Sequence, residues 1–154
     1  GLAVSGRGNN AWNAYVASLN IMYAKILFSK SSLLVSKLFE PGTDGNRKSL
    51  EKHHLFPKAY LRSQGYKDSM INQMANYAFI DWKDNMDILD DAPSVYYPIV
   101  CAGRSEEEIL QMERENALPH GWEKMKYEDF LVERRKLMAA RIKEAFEQLR
   151  KNAE

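Results

Sequence analysis

Apolar residues near the start of the chain recur at helical steps. Trp12, Tyr15, Val16, Leu19, Tyr23, Ile26 and Leu27 fall three or four positions apart, which predicts one amphipathic helix with Asn9 or Asn10 as its N-cap. A shorter helical piece is expected over 33–39, ended by Pro41. At the other end, Phe130, Leu131, Leu137, Met138, Ile142, Phe146 and Leu149 keep the same spacing. They predict a last helix that starts near Tyr127, packed on one face and charged on the other. Ser105 followed three positions later by Glu108 has the form of a capping box, so a helix is expected from there to about Asn116.

The pattern changes in the middle. Pro41-Gly42-Thr43-Asp44-Gly45-Asn46 is dense in turn formers and reads as a loop. A short strand is expected over 48–54, then a one-turn helix opened by Pro57 and running through Leu61, then a second short helix over 69–74. Tyr77-Ala78-Phe79-Ile80 is aromatic and β-branched, which suits a second strand. Residues 81–89 read as a helix that starts at Asp81 and carries Asn85 one turn inside, and the chain after Pro93 is expected to be irregular through Tyr96-Tyr97-Pro98. The fold class predicted is therefore α+β. It is a mostly helical domain in three parts: helices over 1–46, a strand–strand–helix core over 47–92, and helices over 93–154.

Composition narrows the field. A chain of 154 residues with 45% hydrophobic content makes one globular domain, and Gly1 in place of a starting Met suggests the C-terminal piece of a longer protein. A formal charge of +1 means that any affinity for a polyanion must come from local patches. Cys101 is the single cysteine, which excludes a disulfide within the chain and a cysteine-based zinc knuckle. A reducing, cytoplasmic location is the simplest expectation, with Cys101 a small buried hydrophobe. No apolar run approaches the roughly 20 residues that a membrane span needs, and no signal-peptide pattern opens the chain. Charge is uneven: residues 47–67 hold six basic side chains against the one acid Glu51, and residues 81–91 hold five Asp against one Lys.

Two of the three histidines, His53 and His54, stand side by side in the basic stretch. Successive residues of a strand point to opposite faces, so such a pair is useful where a strand ends and the chain bends around one small object. Phosphodiester hydrolysis needs an activated water, a clamp on the phosphate and stabilisation of the leaving 3′ oxygen. Imidazole, with an ordinary pKa near 6.5, accepts a proton close to neutral pH, and a divalent metal supplies the other two functions. In this reading His54 is the base and His53 the first metal ligand. Asn85 is the second ligand through its amide oxygen. Asn76 accepts the ring N–H of His54 and turns the other ring nitrogen toward water. So few protein ligands leave the ion several waters, which suits Mg2+, with Mn2+ or another divalent ion as alternatives. Lys52, Lys58 and Arg62 are candidates for contact with DNA phosphates.

The segments EKHHLFPKAYL, NQMANYAFIDWKDN and APSVYYP resemble the HNH (ββα-metal, or His-Me finger) nucleases. Within that group they are similar to the C-terminal nuclease domain of GmrSD-type modification-dependent restriction enzymes. The later segment YEDFLVERRKLMAARI is also similar, so the resemblance covers most of the chain. It implies His54 as base, His53 and Asn85 as ligands and Asn76 as the orienting residue. Two features differ from the broader group: zinc-binding cysteine pairs are missing, and His53 stands where Asp is common. The resemblance further implies in-line attack by water to leave a 5′-phosphate and a 3′-hydroxyl. It also implies an upstream ParB-like, nucleotide-using domain in the same polypeptide and a role in defence against phage DNA. One active site per domain makes a double-strand break the work of two copies, as in a homodimer, or of two events.

Plainer explanations exist for each residue. A histidine pair is often a surface feature, Asn76 can be a strand-entry residue, Asn85 a solvated helix residue and Glu51 a member of a structural ion pair. His120, between Pro119 and Gly121, reads as structural, and Trp82, Tyr96 and Tyr97 read as packing residues rather than platforms for bases. The competing functions are a catalytically silent DNA- or protein-binding module that keeps the fold, and a purely structural helical adaptor.

Overall fold

In a computed structural model the chain is described over residues 6–40, 52–82 and 90–153. It is an α+β protein, mostly helical, with a small two-stranded antiparallel sheet. Helix α1 (Gly6–Ile21) and a 3-10 turn (Val35–Phe39) precede strand β1 (Lys52–His54). Short helices α2 (Lys58–Ser63) and α3 (Asp68–Ile71) and a 3-10 turn (Met74–Asn76) lead into strand β2 (Tyr77–Phe79). Helices α4 (Pro93–Cys101) and α5 (Glu106–Glu115), a 3-10 turn (Trp122–Lys124) and the long helix α6 (Tyr127–Ala153) complete it.

The two ends of the chain pack together, α1 against α6, and α6 also covers the turn before β2. Between them lies an aromatic core in which the Phe56 ring meets those of Trp122, Tyr127 and Phe130, and Trp82 packs on Phe28 and Tyr96. Burying large rings in tilted and edge-on contacts adds geometric preference to the hydrophobic gain. Trp82, Tyr96 and Tyr97 are packing residues as expected, and Cys101 is buried.

Several sequence expectations are corrected. Helix α1 stops at Ile21, six residues short of the predicted end, because Tyr23 turns into the left-handed region (φ 54). Ile26 and Leu27 are buried all the same, but as extended chain. Leu27 bridges to Ile80, its N–H donating to the Phe79 carbonyl (3.0 Å) and its carbonyl accepting from Asp81 N–H (2.9 Å). Burial therefore continues past the helix through a different structure, at Ala24, Ile26, Leu27 and Phe28, while Tyr23 of the predicted stripe is exposed. The helix also starts at Gly6, before the Asn9 or Asn10 expected to cap it.

The stretch after Pro93 through Pro98, expected to be irregular, lies within α4. Pro93 sits in the first turn, where its missing N–H costs nothing, and Pro98 lies on the exposed face while Tyr96, Tyr97, Val100 and Cys101 face inward. Asp81 and Trp82 are not helical, and the rest of the helix expected over 81–89 lies outside the described residues, as does the strand upstream of Lys52. Helix α5 has both bonds of its capping box, Glu108 N–H to Ser105 Oγ (3.1 Å) and Ser105 N–H to Glu108 Oε1 (3.0 Å). In α6 the predicted spacing holds, yet the buried seam takes Arg134 and Arg141 while Leu137, Phe146 and Leu149 stay exposed.

Candidate functional site

The hairpin is three residues deep on each side. Lys52 pairs with Phe79, His53 with Ala78 and His54 with Tyr77. Alternation of side chains across a ribbon sends His53 to one face and His54, with Lys52, to the other. On the second face the His54 ring lies against the ring of its partner Tyr77, with centroids 4.6 Å apart. The Lys52 ammonium sits over the Tyr77 ring (4.8 Å to the centroid) and near that of Trp12 (5.4 Å), a cation held against two π faces.

After His54 the chain leaves the strand and must return to Tyr77 through 22 residues of short helices and turns. Three side chains secure that excursion. Asn76, fully buried, accepts from Phe56 N–H through Oδ1 (2.8 Å) and donates through Nδ2 to the carbonyls of Phe56 and Ile71 (both 3.1 Å). Tyr96 Oη donates to the Leu55 carbonyl (2.6 Å), and Tyr127 Oη donates to the carbonyls of Met70 (2.6 Å) and Ile71 (3.2 Å). Buried backbone groups need such partners; here they come from the turn before β2 and from helices α4 and α6, so the bend after the histidines is built into the interior.

The bond expected between Asn76 and His54 is replaced by another. The His54 Nε2 lies 2.8 Å from Oδ1 of Asn72, the residue after α3, and Tyr77 Oη donates to the same oxygen at 3.4 Å. The Asn76 amide, whose oxygen and nitrogen are both committed to backbone, orients the loop and not the ring. Asn72 escaped the sequence reading because nothing in spacing separates it from its neighbours. The one available signal was that Asn72 and Asn76 are the two asparagines between the strands. Burial of His54 disfavours its charged form and lowers its pKa from the ordinary value; the Asn72 bond works the other way, and Lys58 and Lys52 add to the lowering.

Of the expected phosphate-binding residues, Lys52 lies on the His54 face of the hairpin, while Lys58 and Arg62 share a carboxylate. Arg62 makes two bonds to Asp68 (both 3.2 Å) and Lys58 Nζ is 3.8 Å from the same side chain. Asn85 and Glu51 lie outside the described residues. Among the described residues no three His, Cys, Asp or Glu side chains gather as a metal-binding group, so of the expected metal ligands only His53 is described. Two clefts lie elsewhere: one of about 490 Å³ between residues 25–32 and α5, one of about 320 Å³ between α5 and α6, and neither is lined by His53, His54, Asn72 or Asn76. Among the described residues, no helix is long and apolar enough to cross a membrane. Compared with known proteins, the chain matches no family model, no curated protein and no solved structure.

Proposed function

We propose that this domain hydrolyses phosphodiester bonds in DNA, with His54 taking the proton from the attacking water. The observation that carries the reading is the state of His54. It is a half-buried imidazole at the end of a strand, held at one ring nitrogen by Asn72, with its charged form disfavoured by burial and Lys52 on its face of the hairpin. A neutral imidazole with one nitrogen engaged has a lone pair on the other, which is what a general base needs. The water oxygen bonds to phosphorus as its proton passes to His54. The bond from phosphorus to the 3′ oxygen breaks, and that oxygen keeps the electron pair and takes a proton from solvent. His54 then returns its proton to solvent.

His53 and Asn85 would hold the divalent ion. An imidazole nitrogen and an amide oxygen form an open donor set, which fits a largely hydrated Mg2+ or Mn2+ and not a closed structural site. When bound, such an ion polarises the phosphate and neutralises charge on the leaving oxygen. This reading requires a helix after the hairpin β1–β2 that carries Asn85, in a stretch outside the described residues. An upstream ParB-like domain, cytoplasmic phage defence and pairing of two copies belong to the same proposal through the resemblance to GmrSD-type enzymes.

A plasmid-nicking assay with Mg2+ or Mn2+ tests it. Wild type is expected to convert supercoiled to nicked plasmid, and His54→Ala to lose at least a hundredfold in rate. Absence of cutting by wild type at any metal concentration sinks the nuclease reading. One observation favours the second reading, a silent DNA- or protein-binding module: His53 and His54 leave β1 on opposite faces. That reading expects metal-independent DNA binding without cutting.

A further inference from the structure

We propose that Asn72 is the positioning residue of His54: it fixes the ring as the Nε2–H tautomer and leaves Nδ1 as the nitrogen that meets water. This deepens the nuclease reading and rests on it for the role of Nδ1.

The geometry comes first. Asn72 Oδ1 faces His54 Nε2 at 2.8 Å, and the same oxygen faces the Tyr77 hydroxyl at 3.4 Å. A phenol is a donor toward a carboxamide oxygen, so the oxygen of Asn72 is turned to this side and its nitrogen away. Facing an oxygen that can only accept, Nε2 carries the hydrogen, and the single lone pair of the neutral ring falls to Nδ1. The Tyr77 ring, packed on the imidazole, limits rotation of the ring about its bond to Cβ.

The support for Asn72 comes second. An orienting residue works only if it is itself fixed. The Asn72 N–H donates to the Asp68 carbonyl (2.8 Å). On one side, the Ile71 carbonyl is held by both Asn76 Nδ2 and Tyr127 Oη. On the other, Gln73 donates to the Ser69 carbonyl (2.8 Å) and accepts from Arg135 of α6 (3.1 Å). The Ile71 backbone on one side of Asn72 and the Gln73 side chain on the other are thus tied to the core and to the longest helix, while the Asn72 side chain reaches out to the ring.

The test reads the tautomer directly. Protein labelled with 15N-histidine is observed by long-range proton–nitrogen correlation at pH 8, with His53, His54 and His120 assigned by single His→Gln variants. The expected result is an Nε2–H ring at His54 in wild type. In Asn72→Leu, a mixed population is expected, along with a kcat for nicking lower by about ten- to a hundredfold and KM changed less than twofold. Asn72→Asp keeps an acceptor at the same place and is expected to keep the Nε2–H tautomer. An Nδ1–H ring in wild type overturns the proposal, and that measurement needs no variant to fold. An unchanged tautomer in folded Asn72→Leu overturns it too. An Nε2–H ring in a protein that never nicks DNA upholds Asn72 as the group that fixes the ring and removes the nuclease reading, so the two ideas fail separately.

Discussion

Asn76 and Phe56 hold each other through both ends of one amide, Oδ1 accepting from the Phe56 N–H at 2.8 Å and Nδ2 donating to the Phe56 carbonyl at 3.1 Å. This reproduces the pairing of a strand across a bend where no strand runs. It fixes the chain two residues after His54 against the residue just before β2. Asn76→Ala takes this partner from the Phe56 N–H and carbonyl, at a net cost of about 1–3 kcal/mol each when unrelieved, while the Ile71 carbonyl keeps its bond from Tyr127 Oη. A loss of about 3 kcal/mol is expected in urea unfolding, with nicking reduced because His54 is displaced. Unchanged stability would mean that water replaces the amide and that the bend is held elsewhere.

Arg134 extends the same support from α6. Its guanidinium is fully buried and donates to the carbonyls of Ala75 (2.9 Å), Tyr77 and Asn116 (3.2 Å), with the Tyr15 ring 5.8 Å from its central carbon. Burial lowers its pKa, opposed by the nearby Tyr15 and Tyr96 phenols. A planar fork spans separate carbonyls in a way that an ammonium cannot. Arg134→Lys is therefore expected to lose about 3 kcal/mol in chemical unfolding, and Arg134→Met a comparable amount because the carbonyls are orphaned. A Lys variant as stable as wild type would reduce the role of Arg134 to that of a bulky buried cation.

How far the chain disclosed its own structure depends on the range of the interaction involved. The Ser105–Glu108 box was legible because both of its bonds close within four residues. The 127–149 spacing located α6, but which side faces the core is decided by the carbonyls of residues 75, 77 and 116, far off in sequence, and these call Arg134 inward ahead of Leu137. The run from Trp12 to Leu27 read as one helix because burial alone has no memory of its cause; the left-handed turn at Tyr23 and the bridge from Leu27 to Ile80 are tertiary choices. At the site, the histidine pair and the strand at Tyr77 were readable. The exchange of duties between Asn72 and Asn76 was not, since both are carboxamides four residues apart and only the fold decides which meets backbone and which meets the ring.

Burial lowers the pKa of His54 from its ordinary 6.5, with Lys58 and Lys52 acting in the same direction and Asn72 against them. If the neutral ring is the base, the acid limb of the nicking rate has its midpoint below about pH 6.5. Lys58→Ala removes one of the lowering influences and is expected to move that limb to higher pH. The same preference for the neutral ring stabilises the fold fully above the unfolded value and is lost as pH falls through the lower folded one. A rate profile whose acid limb lies well above pH 6.5 would count against His54 as the base.

Asp68 sets the charge that the α2 surface presents. Its carboxylate, held below the usual range by its bonds to Arg62, sits between Arg62 and Lys58 and offsets part of their field. If these two cations meet DNA phosphates, Asp68→Asn frees both. Affinity is then expected to rise, and the slope of log affinity against log salt to steepen by up to about two. Arg62→Ala in the Asp68→Asn background should take back about half of that change. Salt titrations of binding to a labelled duplex in EDTA, where the proposed metal-dependent reaction is expected to be silent, measure it. A slope that does not respond to Asp68 would place the DNA-binding face elsewhere, with Lys52 as the residue to vary next.

The turn before α6 is fastened by a pH-dependent pair. His120 Nδ1 lies 2.9 Å from Oε1 of the buried Glu113, whose Oε2 accepts from Tyr97 Oη at 2.7 Å. The hydrogen bond and charge of Glu113 raise the His120 pKa, with smaller contributions from Glu123 and Glu106. A raised value in the fold means that the charged pair adds stability fully below the unfolded pKa near 6.5 and that the gain disappears as pH rises through the folded one. His120 is 74% exposed, so water screens the pair and the effect is small. Wild type is expected to melt about one or two degrees above His120→Ala near pH 6, and the gap to close by pH 9. A gap of constant size across that range would assign His120 a packing role at the Pro119–Gly121 turn, with its charge contributing nothing.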